Sequence, residues 1–135
     1  MELNKFHILR LSLCLGVLAV IAGCPRVAYV DFYNNTNVVL KLNIDDTDSL
    51  VPPGEHSKIK FMANTFSIKS GLGVWIYGRN IPHSGMDGEF FDGTLKVQVE
   101  PDGKVYALRR VDRPPIKVSN YKQPAGYPLS PSARR

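Results

Sequence analysis

Val38-Val39-Leu40-Lys41-Leu42-Asn43-Ile44 is the stretch that decides the fold. Val38, Leu40, Leu42 and Ile44 fall on one side and Lys41 and Asn43 on the other, which is the two-residue period of a strand with one face buried and one in water. A helix would gather its apolar positions at three- and four-residue spacing. Nothing beyond the first two dozen residues does so. On the N-terminal side Val27-Ala28-Tyr29-Val30-Asp31-Phe32-Tyr33 alternates in part. Between the two runs, Asn34-Asn35-Thr36-Asn37 is built of residues that tolerate left-handed backbone angles, so the pair is expected to form a hairpin.

Towards the C-terminus the pattern repeats. An acidic turn, Asp45-Asp46-Thr47-Asp48, leads to a short Leu50-Val51 piece, and Pro52-Pro53-Gly54-Glu55 forces a reversal. Ser57, Ile59 and Phe61 then oppose His56, Lys58 and Lys60, with Asn64 ending the strand. Thr65 to Lys69 alternates again, and Val74-Trp75-Ile76-Tyr77 lies between Gly73 and Gly78. The clearest pair comes last: Leu95, Val97 and Val99 alternate with Lys96, Gln98 and Glu100 before Pro101-Asp102-Gly103 turns the chain into Lys104 to Leu108. About seven short strands separated by turn residues predict an all-β fold, a single antiparallel β-sandwich of immunoglobulin-like or transthyretin-like kind. Ile81 to Gly93, rich in glycine and turn residues, reads as a long loop with a short strand at Glu89 to Phe91. Loops of this kind on rigid sandwiches carry binding surfaces.

Ahead of this domain stand Lys5 and Arg10, an apolar run from Leu11 to Ala22, and then Ile21-Ala22-Gly23-Cys24. The uninterrupted apolar run is about a dozen residues, short of the ~20 a membrane-crossing helix needs, so residues 1–23 read as a helical, cleaved leader. Ile21-Ala22-Gly23-Cys24 resembles the cleavage site of bacterial lipoprotein precursors. The resemblance covers the first two dozen residues. It implies diacylglycerol on the thiol of Cys24, cleavage before it and acylation of the new amino group, so that several acyl chains tether the protein where one would hold only marginally. Pro25 stands where the inner-membrane retention signal would place Asp, which points to the periplasmic face of the outer membrane, with the inner membrane as the alternative.

Cys14 lies in the leader, so the mature chain carries only the lipidated cysteine and no internal disulfide. Its stability must come from a core, and residues 24–111 suffice for one ordinary domain. The net charge of +5 is unevenly spread. From Arg109 onward, Arg109, Arg110, Arg113, Lys117, Lys122, Arg134 and Arg135 face only Asp112, while acids slightly outnumber bases before it. Residues 112–135, with Pro114, Pro115, Pro124, Pro128 and Pro131, therefore read as an exposed, largely disordered basic tail. Nucleic acid is not the expected target of a secreted lipoprotein. Envelope proteins or an anionic surface are the candidate partners of the tail.

Catalytic chemistry finds little support in the sequence. No Gly-x-Ser-x-Gly elbow occurs, and the mature chain has only His56 and His83, too few and too far apart for a zinc site. Asp45-Asp46-Thr47-Asp48 lacks the glycine and glutamate of a calcium loop. Trp75 and Tyr77 could line a groove for sugar or peptide, but filling the core is the commoner use of strand aromatics. The expectation is a lipid-anchored, non-enzymatic module of an envelope assembly, with neither cofactor nor metal. A periplasmic ligand-binding module, with an apolar pocket of about 300 Å³ or more near Trp75, Tyr77 and His83, is the second reading, and a small hydrolase is the third.

Overall fold

In the computed structural model, which describes residues 27–61, 65–78 and 88–135, the deciding stretch is a strand with the expected faces. In β2 (Leu40–Ile44), Leu40, Leu42 and Ile44 are buried and Lys41 and Asn43 face outward. The leader, Cys24, Asn64 and His83 lie outside the described residues. The chain is all-β there, with a short 3-10 turn at Val118–Asn120. The other strands are β1 (Tyr29–Asn34), β3 (Thr47–Val51), β4 (His56–Lys60), β5 (Thr65–Ser70), β6 (Gly73–Gly78), β7 (Thr94–Val99), β8 (Val105–Leu108) and β9 (Ala133–Arg134).

They form two sheets, one in the order β4-β1-β7-β8 and the other in the order β3-β2-β5-β6-β9. Both sheets contribute to one hydrophobic core. Phe32 of β1 meets Phe66 of β5 edge-on at 5.7 Å, and Phe66 stacks on Tyr77 at 4.7 Å. Nine described strands stand where about seven were expected, and the last of them comes from the presumed tail. One neighbouring pair, β1 and β7, is parallel.

β1 and β2 do not form the expected hairpin. They belong to different sheets, and Asn34-Asn35-Thr36-Asn37 is an arch from one sheet to the other. The buried side chain of Asn34 makes it so. Its amide donates to the carbonyls of Val38 and Val51, both at 2.8 Å, and its oxygen accepts from the backbone N–H of Thr36 at 2.8 Å and from the Thr36 hydroxyl at 2.6 Å. These bonds satisfy backbone groups that a hairpin ladder would otherwise hold. The turn at Pro52 to Glu55 returns the chain to the first sheet, where Asn34 N–H meets the Glu55 carbonyl at 3.0 Å. A 2.7 Å hydrogen bond between the Ser49 and Ser57 hydroxyls ties edge strand β3 to edge strand β4.

The acidic turn is tighter than expected. Thr47 pairs with Ile44, leaving only Asp45 and Asp46 in the loop, with φ of 50° and 59°. Positive φ at both positions is the geometry of a two-residue hairpin whose twist matches its strands. Asp48 stands on β3 and accepts from Asn43 at 2.8 Å and from Lys41 at 2.6 Å.

Residues 112–135 are not a detached tail. Arg135 exchanges backbone hydrogen bonds with Val74 at 2.8 and 3.0 Å, and Ser132 N–H reaches the Ile76 carbonyl, so β9 extends the second sheet beyond β6. The approach is close enough that a Cβ on Gly73 would lie 2.8 Å from the Arg135 carbonyl oxygen. Leu129 exchanges two 2.9 Å bonds with Val105 at the β8 edge of the first sheet. Tyr127 and Leu129 also pack against the core. Proline excludes a helix or a sheet interior but not an extended strap laid along open strand edges, where many backbone donors are not needed. Of the loop expected from Ile81 to Gly93, residues 81–87 lie outside the described residues; in the described part, 88–93, only a bridge from Phe91 to Leu95 stands where a short strand was expected.

Candidate functional site

Where the strap leaves β8, the chain encloses an open cleft of about 380 Å³ lined by Glu89, Phe90, Arg109, Asn120, Tyr121, Lys122, Gln123 and Pro124. Its floor is one hydrogen-bonded cluster. Arg109 follows the last residue of β8 and folds back on Asp112, with Nε 3.1 Å and Nη2 3.2 Å from the two carboxylate oxygens. The Tyr121 phenol donates a hydrogen bond to Asp112. That same hydroxyl accepts from the backbone N–H and Nε of Arg109 at 2.7 and 3.1 Å. The guanidinium lies 5.2 Å from the Tyr121 ring centre, and Phe90 meets that ring edge-on at 6.5 Å.

Three ionisable groups thus fix one another. Burial works against the charge of Asp112, yet the bonds from Arg109 and Tyr121 outweigh it and hold the carboxyl below its usual range. Burial first, then the hydrogen bond to Asp112, raises the Tyr121 phenol. The result is a cation paired to an anion beside a phenol that keeps its proton. Most of its donors are spent within the cluster, so these bonds brace the floor of the cleft. Around this floor the cleft is lined by Glu89, 3.8 Å from the Arg109 Nη1, and by Asn120, Lys122, Phe90 and Pro124. Beside the cleft Arg110 pairs with Asp92 at 3.2 Å and donates to the Gly88 carbonyl at 3.0 Å.

The residues singled out in the sequence are not gathered here. Trp75 and Tyr77 are completely buried and line no groove. Tyr77 donates 2.6 Å to the carbonyl of Gly103, whose own Cα hydrogens face the Trp75 ring so closely that a Cβ would lie 2.9 Å from it. Among the described residues, an apolar space in the core between Phe32, Phe61, Phe66, Tyr127 and Leu129 measures about 10 Å³. That is at most the room of one water and far below a ligand pocket. His56 is exposed on β4, 3.5 Å from Asp31. Cys24 and His83 are outside the described residues. Among the described residues no three of His, Cys, Asp and Glu converge as metal ligands would. Sequence reasoning passed over the Arg109, Asp112 and Tyr121 cluster, although Asp112 was the lone acid of the basic segment and hence the natural partner of a neighbouring arginine.

Comparison with protein-family models, with curated proteins and with solved structures found no match.

Proposed function

We propose that this chain is a lipid-anchored bacterial cell-envelope lipoprotein, tethered through Cys24 and acting as a non-enzymatic interaction module at the periplasmic face of the outer membrane. In this reading its two sheets make one sandwich of immunoglobulin-like or transthyretin-like kind. The observation that carries the interaction role is the packing of the described residues. Among them Trp75 and Tyr77 are buried, the apolar space between Phe32 and Leu129 measures about 10 Å³ and the strap lies along both β6 and β8, which favours recognition at the surface. The anchor rests on Ile21-Ala22-Gly23-Cys24 and on the start of β1 only five residues beyond Cys24.

The test of the anchor is the intact mass of mature protein taken from membranes. Diacylglycerol and a further acyl chain are expected on Cys24, and Cys24→Ser should move the protein to the soluble fraction. An unmodified wild-type mass would overturn the reading. The test of the interaction role is cross-linking in cells, with Glu89→Lys and Lys122→Glu at the cleft rim beside the wild type. Reproducible envelope-protein partners lost in the rim variants are the expected result.

A second reading, a periplasmic ligand-binding module, is favoured by the cleft itself. About 380 Å³ is within the range of small-molecule sites. Phe90 and Pro124 offer apolar faces beside the cations Arg109 and Lys122, a combination suited to a small anionic ligand with an apolar part.

A further inference from the structure

Among the described residues the strap covers one half of the outer face of the first sheet. Ile116 and Gln98 exchange two 2.9 Å bonds, so the strap overlies β7 and β8. No described segment is laid across the half made by β1 and β4, where Tyr33 is buried beside His56 and the pairing Tyr29↔Lys60 and Asp31↔Lys58 sets the other outward side chains side by side. Lys58 and Lys60 are exposed, and the Lys58 ammonium lies 5.0 Å from the centre of the Tyr29 ring, itself 38% exposed. Asp31, the acid on β1 in this half, has His56 at 3.5 Å. At the border between the halves Lys96, which pairs with Asp31, donates to the carbonyls of Arg110 at 2.7 Å and Asp112 at 3.3 Å. That grip presents Val111, between Arg110 and Asp112, with 82% of its surface exposed.

We propose that this half-face is a membrane-docking surface for anionic phospholipid headgroups, with Lys58 and Lys60 on the phosphates and Tyr29 and Val111 at the headgroup boundary. Two observations favour lipid over another occupant. The charge is cationic with an aromatic and an aliphatic side chain interleaved, the composition of interfacial surfaces. The reach is also short. Tyr29 is the fifth residue after Cys24, at most about 18 Å of extended chain away, so an anchor at Cys24 holds this face within reach of headgroups. The proposal rests on the anchor reading for its geometry, and its chemistry is tested apart from it.

The mature chain carrying Cys24→Ser is mixed with vesicles of phosphatidylglycerol and phosphatidylethanolamine, or of phosphatidylcholine alone, and sedimented at low salt. Preferential binding to the anionic vesicles is expected. Lys58→Gln with Lys60→Gln should lower the partition coefficient by about 30-fold at unchanged melting temperature, the equivalent of about 1 kcal/mol for each lysine, while the corresponding Arg pair retains binding. Equal binding to both vesicles, no binding to either, or loss only with Lys117→Gln and Lys122→Gln on the strap would overturn the proposal. An unmodified mass of the wild-type protein would strike the anchor instead, and leaves these outcomes readable by themselves.

Discussion

Gln123 brackets Ala107: its side-chain oxygen accepts from the Ala107 N–H at 2.9 Å and its amide donates to the Ala107 carbonyl at 3.0 Å. A side-chain amide thus does for the edge of β8 what a neighbouring strand would do, and two residues of β8 are paired from outside, Val105 by backbone and Ala107 by side chain. Removing both partners at once leaves a buried edge unsatisfied. Gln123→Ala should lower stability by about 1–2 kcal/mol, read from the midpoint of urea unfolding. Truncation after Val111 should cost far more, because it strips Tyr127 and Leu129 from the core and β9 from β6. A truncated chain that melts like the full one would mean that the strap is not part of the fold.

Asn34 is the second point on which the architecture turns. It is 1% exposed and takes part in four hydrogen bonds that hold the arch between the sheets. Asn34→Ala should cost about 3 kcal/mol, and Asn34→Asp should do no better, because a carboxylate cannot donate to the carbonyls of Val38 and Val51. An Asn34→Asp protein as stable as the wild type at neutral pH would show that those two carbonyls do not need the amide.

These two asparagine and glutamine contacts also explain what was and was not legible in the sequence. Alternation located the strands, because burial of one face imposes a two-residue period whatever the partner strand is; Leu40, Phe66, Ile68, Val97 and Val99 are all inside as their spacing requires. Pairing was less legible. Asn34 to Asn37 is compatible with a hairpin turn or an arch, and the choice was made by acceptors at Val38 and Val51 that local sequence does not announce. The strap was misread for a related reason. Proline and charge mark a segment that cannot nucleate structure alone, but they do not say whether strand edges elsewhere await a cover. The cleft followed from the strap, so its members were hidden with it.

At the β2–β3 turn, Asp46 adopts φ of 59°, a left-handed conformation that costs an ordinary L-residue and that glycine accepts freely. Asp46→Gly should therefore stabilise the protein by roughly 0.5–1 kcal/mol, and Asp46→Val should destabilise it by more. Thermal unfolding of the two variants checks the pair. A stabilising valine would mean the turn is not of this type.

The acid response of the molecule should be written largely at Asp112. Burial raises this carboxyl, but the bonds from Arg109 and Tyr121 prevail and hold it below its ordinary value. The unfolded chain then binds the proton more tightly, so the stabilisation is complete above the unfolded carboxyl value of about 3.9 and is lost as the pH falls through the lower folded value. Asp112→Asn should be less stable than the wild type at pH 7, and the gap should narrow as the pH is lowered below about 4. Asp48 is shifted in the same direction by Asn43 and Lys41, but it is exposed to water. Solvent screening makes such a pair weak, so Asp48→Asn should change the acid limb little. Urea unfolding at pH 7, 5 and 3 separates the cases. A gap for Asp112→Asn that stays constant down to pH 3 would mean that the side chain acts through packing and neutral hydrogen bonds, and that the hydrogen bond from Tyr121, rather than the charge shared with Arg109, holds the floor of the cleft.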